Sequence, residues 1–236
     1  MVGTNASLVF YNNIDIFFFE KALKLNRNNW RVWVSKLYTC MDLAKYDEAV
    51  QCCQVLIDLK GSRNESEGIP SLEKKIVQGL VGQSISKHID AVKSDDKAAI
   101  ESANRTVNRV RDLLTKAATH MKSEPWIFEV RAYFNERIGN FDQAIKDLMK
   151  EYRALQNIQG WETDSVALPK VCRAVTIISE LLFEEGDGGG LMKHRLLVKG
   201  VIKKVKSAYI DTSKVPKEFT ELEDILSRIE MELSKK

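Results

Sequence analysis

The chain has 236 residues, 44% hydrophobic and 29% charged, with a formal net charge of +3. That composition can bury a core, carries too little charge imbalance to point by itself to nucleic acid or a membrane surface, and contains no run near the roughly 18 apolar residues of a bilayer-spanning helix. Only 4 Pro, sparse aromatics and few β-branched runs bounded by turn signals favour an all-α fold over any sheet-based one.

Residues 1–16 carry no repeat pattern. The apolar stretch from Ser7 to Phe19 is broken by Asn12, Asn13 and Asp15 and lacks the cationic start of a signal peptide, so this start is expected to be unassigned, disordered or mis-assigned. Phe17 to Leu25 (FFFEKALKL) reads as the second helix of a helical hairpin, closed by Asn26-Arg27-Asn28-Asn29. A lone second helix cannot bury its own apolar face, and the chain therefore reads as the carboxy-terminal part of a longer repeat protein.

Trp30 to Lys60 supplies a full hairpin and completes the segment 17–60. Trp33 opens its first helix, Tyr46 follows the turn, and Ala49 sits where the two helices cross. Cys53 and Leu56 take apolar positions of the second helix. A small residue at the crossing lets the helices approach, and large neighbours fill the groove.

Segment 61–124 opens on a polar stretch, Lys60 to Gly68, expected to be a mobile insertion. After the start signal Pro70-Ser71 come two helices without the repeat pattern: one through Leu72, Ile76, Leu80, Ile85, Ile89 and Val92, the other through Ile100, Ala103, Val107, Val110, Leu114, Ala117 and Met121. Segment 125–160 repeats the hairpin pattern with Trp126 and Tyr133, then Gly139, Phe141 and Ala144. Counted from the tryptophans, its spacing is two residues longer, which implies an insertion in the turn.

Segment 161–236 holds three amphipathic helices. Val171, Val175, Ile178 and Leu182 mark the first; Gly186 to Gly190 (GDGGG) reads as a flexible break. Leu197, Val201, Val205 and Ala208 mark the second, on a basic background. Phe219, Leu222, Leu226, Ile229 and Leu233 mark a last helix whose acidic outer face would cap the array.

The segments Phe19–Trp33 (FEKALKLNRNNWRVW), Lys45–Cys53 (KYDEAVQCC), Glu124–Phe134 (EPWIFEVRAYF), Gln159–Asp164 (QGWETD) and Phe219–Leu233 (FTELEDILSRIEMEL) together resemble the carboxy-terminal half of the tetratricopeptide repeat protein 27 family. The fold expected is thus an all-α, tetratricopeptide-like array of helical hairpins, an α-solenoid. The resemblance implies an intracellular, non-enzymatic adaptor or assembly factor. Its expected place is the cytoplasm, with the nucleus also open, and its expected partner a protein, bound as a peptide or a helix, with no membrane and no cofactor.

Candidate chemistry is thin. His88, His120 and His194 lie in separate helices without partners at metal spacing, so no metal site is expected. Cys40, Cys52, Cys53 and Cys172 show no CxxC spacing and suit a reducing compartment; Cys53 reads as a small hydrophobe in packing. GDGGG lacks the Lys-Ser/Thr ending and preceding strand of a phosphate loop. Only Cys52, Cys53 and His88 would motivate an enzyme, and none is expected.

Two binding surfaces remain. Helical phase nominates Arg31, Ser35 and Tyr38, with Glu129, Arg131 and Tyr133, as contacts on the concave side of the first helices; Val34, Tyr38, Ile127 and Arg131 stand where a clamp for a terminal carboxylate would need Lys and Asn. The alternative is an RNA or ribonucleoprotein binder using Lys199, Lys203, Lys204 and Lys206, part of a run with Lys193 and Arg195 that contains no acid. Against it, Glu218, Glu221, Glu223, Asp224, Glu230 and Glu232 on the last helix are placed to pair with that run, and no aromatic platform interleaves it.

Overall fold

The computed structural model describes residues 4–62, 72–120, 124–209 and 215–235. Among the described residues there are ten helices and no strand: α1 (Thr4–Leu25), α2 (Trp30–Asp42), α3 (Tyr46–Ser62), α4 (Lys74–Ser94), α5 (Lys97–His120), α6 (Pro125–Arg137), α7 (Phe141–Gln156), α8 (Ala167–Glu184), α9 (Gly188–Ala208) and α10 (Lys217–Ser234). They fall into two compact units, Met1–Lys122 and Ser123–Lys236.

Four pairs of consecutive helices form hairpins, three of them closed by the same set of turn hydrogen bonds. In α2–α3, Leu43 N donates to Thr39 O at 3.0 Å, Ala44 N to Met41 O at 3.1 Å and Lys45 N to Cys40 O at 2.8 Å. In α6–α7 the same bonds run from Ile138 to Phe134, Gly139 to Glu136 and Asn140 to Asn135. In α8–α9 they run from Glu185 to Leu181, Gly186 to Phe183 and Asp187 to Leu182. The middle residue of each turn is left-handed: Ala44 (φ 56°), Gly139 (75°) and Gly186 (67°). Asp95 (53°) holds that place between α4 and α5, its N–H bonded to Val92 O. A left-handed residue after a helix satisfies the last carbonyls and reverses the chain.

Counting from that residue puts all four hairpins in one register. Four places before it stand Cys40, Ala91, Asn135 and Leu182, all buried; eight places after it stand Cys52, Ala103, Asp147 and His194, also buried. Ala49 and Ala144 occupy the crossing and are fully buried, as helix contact at a small residue requires.

In the first unit α1 packs on α2, and α3 on α5. In the second, α7 packs on α8, while α10 covers α8 and α9. Leu168, Ile178, Phe219, Leu222 and Ile229 are almost wholly buried there, each such side chain contributing about 1.5–3 kcal/mol.

Several sequence expectations change. α1 is one helix from Thr4, across the stretch left unassigned; in its later part Ile16 and Leu23, seven apart on one face, are buried. The turn of α6–α7 carries no insertion, because α2 and α6 are both 13 residues long and their turns bond identically. The counterpart of Trp33 is therefore Phe128, and Trp126 matches Arg31. Gly186 to Gly190 is no flexible break. Gly186 closes α8, Asp187 caps α9 by accepting from Gly190 N at 2.9 Å, and a Cβ at Gly190 would overlap the Asp187 carboxylate and lie 2.7 Å from Leu182. Lys60 to Ser62 finish α3; residues 63–71, Pro70-Ser71 among them, and Met121 lie outside the described residues.

Candidate functional site

On α2 the nominated residues Arg31, Ser35 and Tyr38 share one exposed side, while Lys36, Leu37 and Cys40 turn inward, as a 3.6-residue period demands. The Tyr38 hydroxyl donates to Glu73 Oε1 at 2.9 Å; that bond, then partial burial, raises the phenol above its ordinary pKa. Ser35 Oγ donates to Arg31 O, and the Arg31 guanidinium lies 5.3 Å from the Trp30 ring centre.

On α6, Tyr133 is exposed with Arg137 5.3 Å from its ring centre, and Glu129 is half-buried. Arg131 is a correction. It points inward, its side chain 11% exposed against a fully buried Asp147. Nε donates to Asp147 Oδ2 at 2.8 Å and Nη2 to Oδ1 at 2.6 Å. Asn135 Nδ2 and Gln143 Nε2 also donate to this carboxylate, at 3.4 and 3.2 Å. Such full satisfaction is what makes a buried charge tolerable. Arg131 stands two residues before the exposed Tyr133, and two residues turn a helical side chain by roughly 200°.

Sequence reasoning missed a third residue that holds this outward position within its hairpin. Six places before the left-handed turn residue stand Tyr38, Ile89, Tyr133 and Glu180. The three apolar ones are 43%, 41% and 44% exposed. The signal was the turn rather than the indole. Trp33 and Trp126 are themselves half-buried, Trp33 Nε1 donating to Arg27 O at 2.7 Å and Trp126 Nε1 to Glu124 Oε2 at 3.2 Å.

The four nominated lysines do not form an open stripe. Lys199 bonds Glu230 and Lys206 bonds Glu223, each at 2.6 Å, and Lys199 holds the Glu230 carboxyl below its usual range. Lys204 lies 5.8 Å from the Trp161 ring centre; Lys203 is exposed. His120 is exposed. His88 is half-buried with Nδ1 unpartnered, and His194 is buried with Nε2 donating to Val175 O at 3.0 Å. All four cysteines are buried and unbridged. A cleft of about 870 Å³ opens in the first unit between the α2–α3 turn and helices α4 and α5. On its wall Thr106 Oγ1 donates to Asp47 at 3.1 Å and lies 3.4 Å from Lys87 Nζ. No helix among the described residues is long and apolar enough to cross a membrane.

A tetratricopeptide repeat protein 27 homolog of Dictyostelium discoideum is 26% identical over 214 residues, taking in 91% of this chain and 23% of that protein. The chain resembles the tetratricopeptide repeat protein 27 family. A TPR repeat-containing protein of Schizosaccharomyces pombe is 21% identical over 216 residues, 87% of this chain and 25% of that one. The chain thus spans about a quarter of the length of these curated relatives. Among solved structures, a de novo designed helical repeat protein matches at 14% identity over 98% of this chain and 97% of its own, with a TM-score of 0.29. No family model matches. Tetratricopeptide-like helical hairpins are in general protein-interaction scaffolds and not catalysts.

Proposed function

We propose that this chain is a non-enzymatic protein-binding scaffold, and that its first-helix faces hold a peptide or helix of a protein partner. The contacts in the first unit are Arg31, Ser35 and Tyr38 on α2; those in the second, taken by itself, are Glu129 and Tyr133 on α6. Scattered exposed apolar side chains are ordinary; recurrence at one register is not. The observation that carries the reading is that Tyr38, Ile89 and Tyr133 hold one outward position in three hairpins, each more than two-fifths exposed. Aromatic side chains at recurring surface positions are typical binding anchors.

The test is affinity capture from a cell extract with the native chain and with a Tyr38→Glu, Tyr133→Glu variant of unchanged helicity. Proteins retained by the first and lost from the second support the reading. An identical retained set for both would overturn it.

A further inference from the structure

The cleft of about 870 Å³ between the α2–α3 turn and helices α4 and α5 falls within the roughly 300–1,000 Å³ of small-molecule sites. The hairpin register shows that it is built into the sequence. Eleven, eight and five places before the left-handed turn residue, α8 carries Val175, Ile178 and Leu181, all buried in the core of the second unit. In the same places α4 carries Ser84, Lys87 and Asp90, and all three line the cleft. Apolar side chains there would close on their neighbours. A hydroxyl, an ammonium and a carboxylate resist desolvation and keep the space open.

Most of the charge in the cleft is neutralised internally. Asp47 accepts from Thr106 Oγ1 at 3.1 Å and lies 3.5 Å from Arg109 Nη1; Glu48 lies 3.9 Å from both Lys36 and Lys45. Two groups of opposite sign are left over. Among the described residues, Lys87 Nζ has a hydroxyl as its partner, donating to Thr106 Oγ1 at 3.4 Å, and the Asp90 carboxylate accepts from Ser86 Oγ at 3.4 Å. Opposite charges three apart on a helix can pair with each other. Here Thr106, 4% exposed and held to Asp47, draws the ammonium towards α5 instead. A cation and an anion, about one helical turn (~5 Å) apart along α4, thus line the same cleft without pairing.

We propose that this cleft binds a small zwitterion of amino-acid type, whose carboxylate meets Lys87 and whose ammonium meets Asp90.

An ammonium has three donors, of which Lys87 uses one on Thr106, and a carboxylate has room for more donors than Ser86. A ligand with a single charge would satisfy one of the two groups and shield the other from water unpaired. The spacing along α4 favours a molecule whose own charges stand about as far apart, so γ-aminobutyrate should exceed glycine. Arg31, Ser35 and Tyr38 are not among the residues that line the cleft, and the scaffold reading stands or falls separately.

The experiment titrates the chain with glycine, β-alanine, γ-aminobutyrate and ε-aminocaproate, and with butyrate and butylamine, reading affinity from saturation-transfer NMR. At least one zwitterion longer than glycine is expected to bind saturably, and about tenfold or more tightly than butyrate or butylamine. Lys87→Met and Asp90→Asn should each weaken it by about tenfold or more, whereas Lys93→Met, on the same helix but outside the cleft, should leave it unchanged. Both cleft substitutions replace exposed side chains, and unchanged helicity by circular dichroism checks that each variant is folded. The proposal is overturned by any of four results: no saturable binding of the three longer zwitterions, butyrate or butylamine within about tenfold of the best of them, a smaller loss in either cleft variant, or an equal loss in Lys93→Met.

Discussion

Arg131 clamps Asp147 with two nitrogens of one guanidinium, at 2.8 and 2.6 Å, inside the α6–α7 hairpin. Because Asp147 is fully buried, removing the cation alone strands a charge that water cannot reach. Arg131→Met should therefore cost about 3–5 kcal/mol, read from urea unfolding, whereas Arg131→Met with Asp147→Leu should recover most of that loss. A single-variant cost below about 1 kcal/mol, the range of an exposed pair, would contradict the internal placement.

The shared turn makes a prediction of opposite sign at two equivalent positions. Ala44 holds a left-handed conformation that costs a residue with a Cβ about 1–2 kcal/mol, partly offset by the greater unfolded freedom of glycine. Ala44→Gly should stabilise the chain by up to about 1 kcal/mol, and Gly139→Ala should destabilise it by about as much or more. Chemical denaturation of both variants checks this. Shifts of the same sign would mean that the two turns are not equivalent.

These cases show where the sequence was legible. Helical periodicity located the helices from Trp30 onward, because an apolar stripe at 3.6-residue spacing has few other uses. Ala49 and Ala144 were recognisable because only a small residue suits a close crossing. Register within the hairpins was not legible from the tryptophans. An indole can sit half-buried on either side of a first helix, as Trp33 and Trp126 do, while the left-handed turn residue is fixed by backbone hydrogen bonds. Where that residue is Ala44 or Asp95, no glycine announces it. GDGGG misled for a related reason: glycine composition suggests freedom, yet Gly190 is there because the Asp187 cap leaves no room for a Cβ. The contact Arg131–Asp147 joins separate helices and became visible only once the register was known.

His194 gives the second unit a pH dependence. Its imidazole is buried, and desolvation lowers its pKa below the ordinary value of 6.5, the bond to Val175 O opposing in part. The unfolded chain therefore binds a proton at a higher pH than the folded one. Stability from this group is complete above about 6.5 and falls as pH drops from there towards the lowered folded value. The melting temperature should decline from pH 7 to pH 5, and His194→Gln should flatten that decline. An equal slope in the variant would assign the effect to other groups.

Hydrogen–deuterium exchange of the chain with a captured protein partner bound, compared with the free chain, bears most directly on the scaffold reading. Protection is predicted in peptides covering Trp30–Asp42 and Pro125–Arg137, the helices that present Tyr38 and Tyr133. Protection confined to Gly188–Ala208, with both of those helices unchanged, would contradict it.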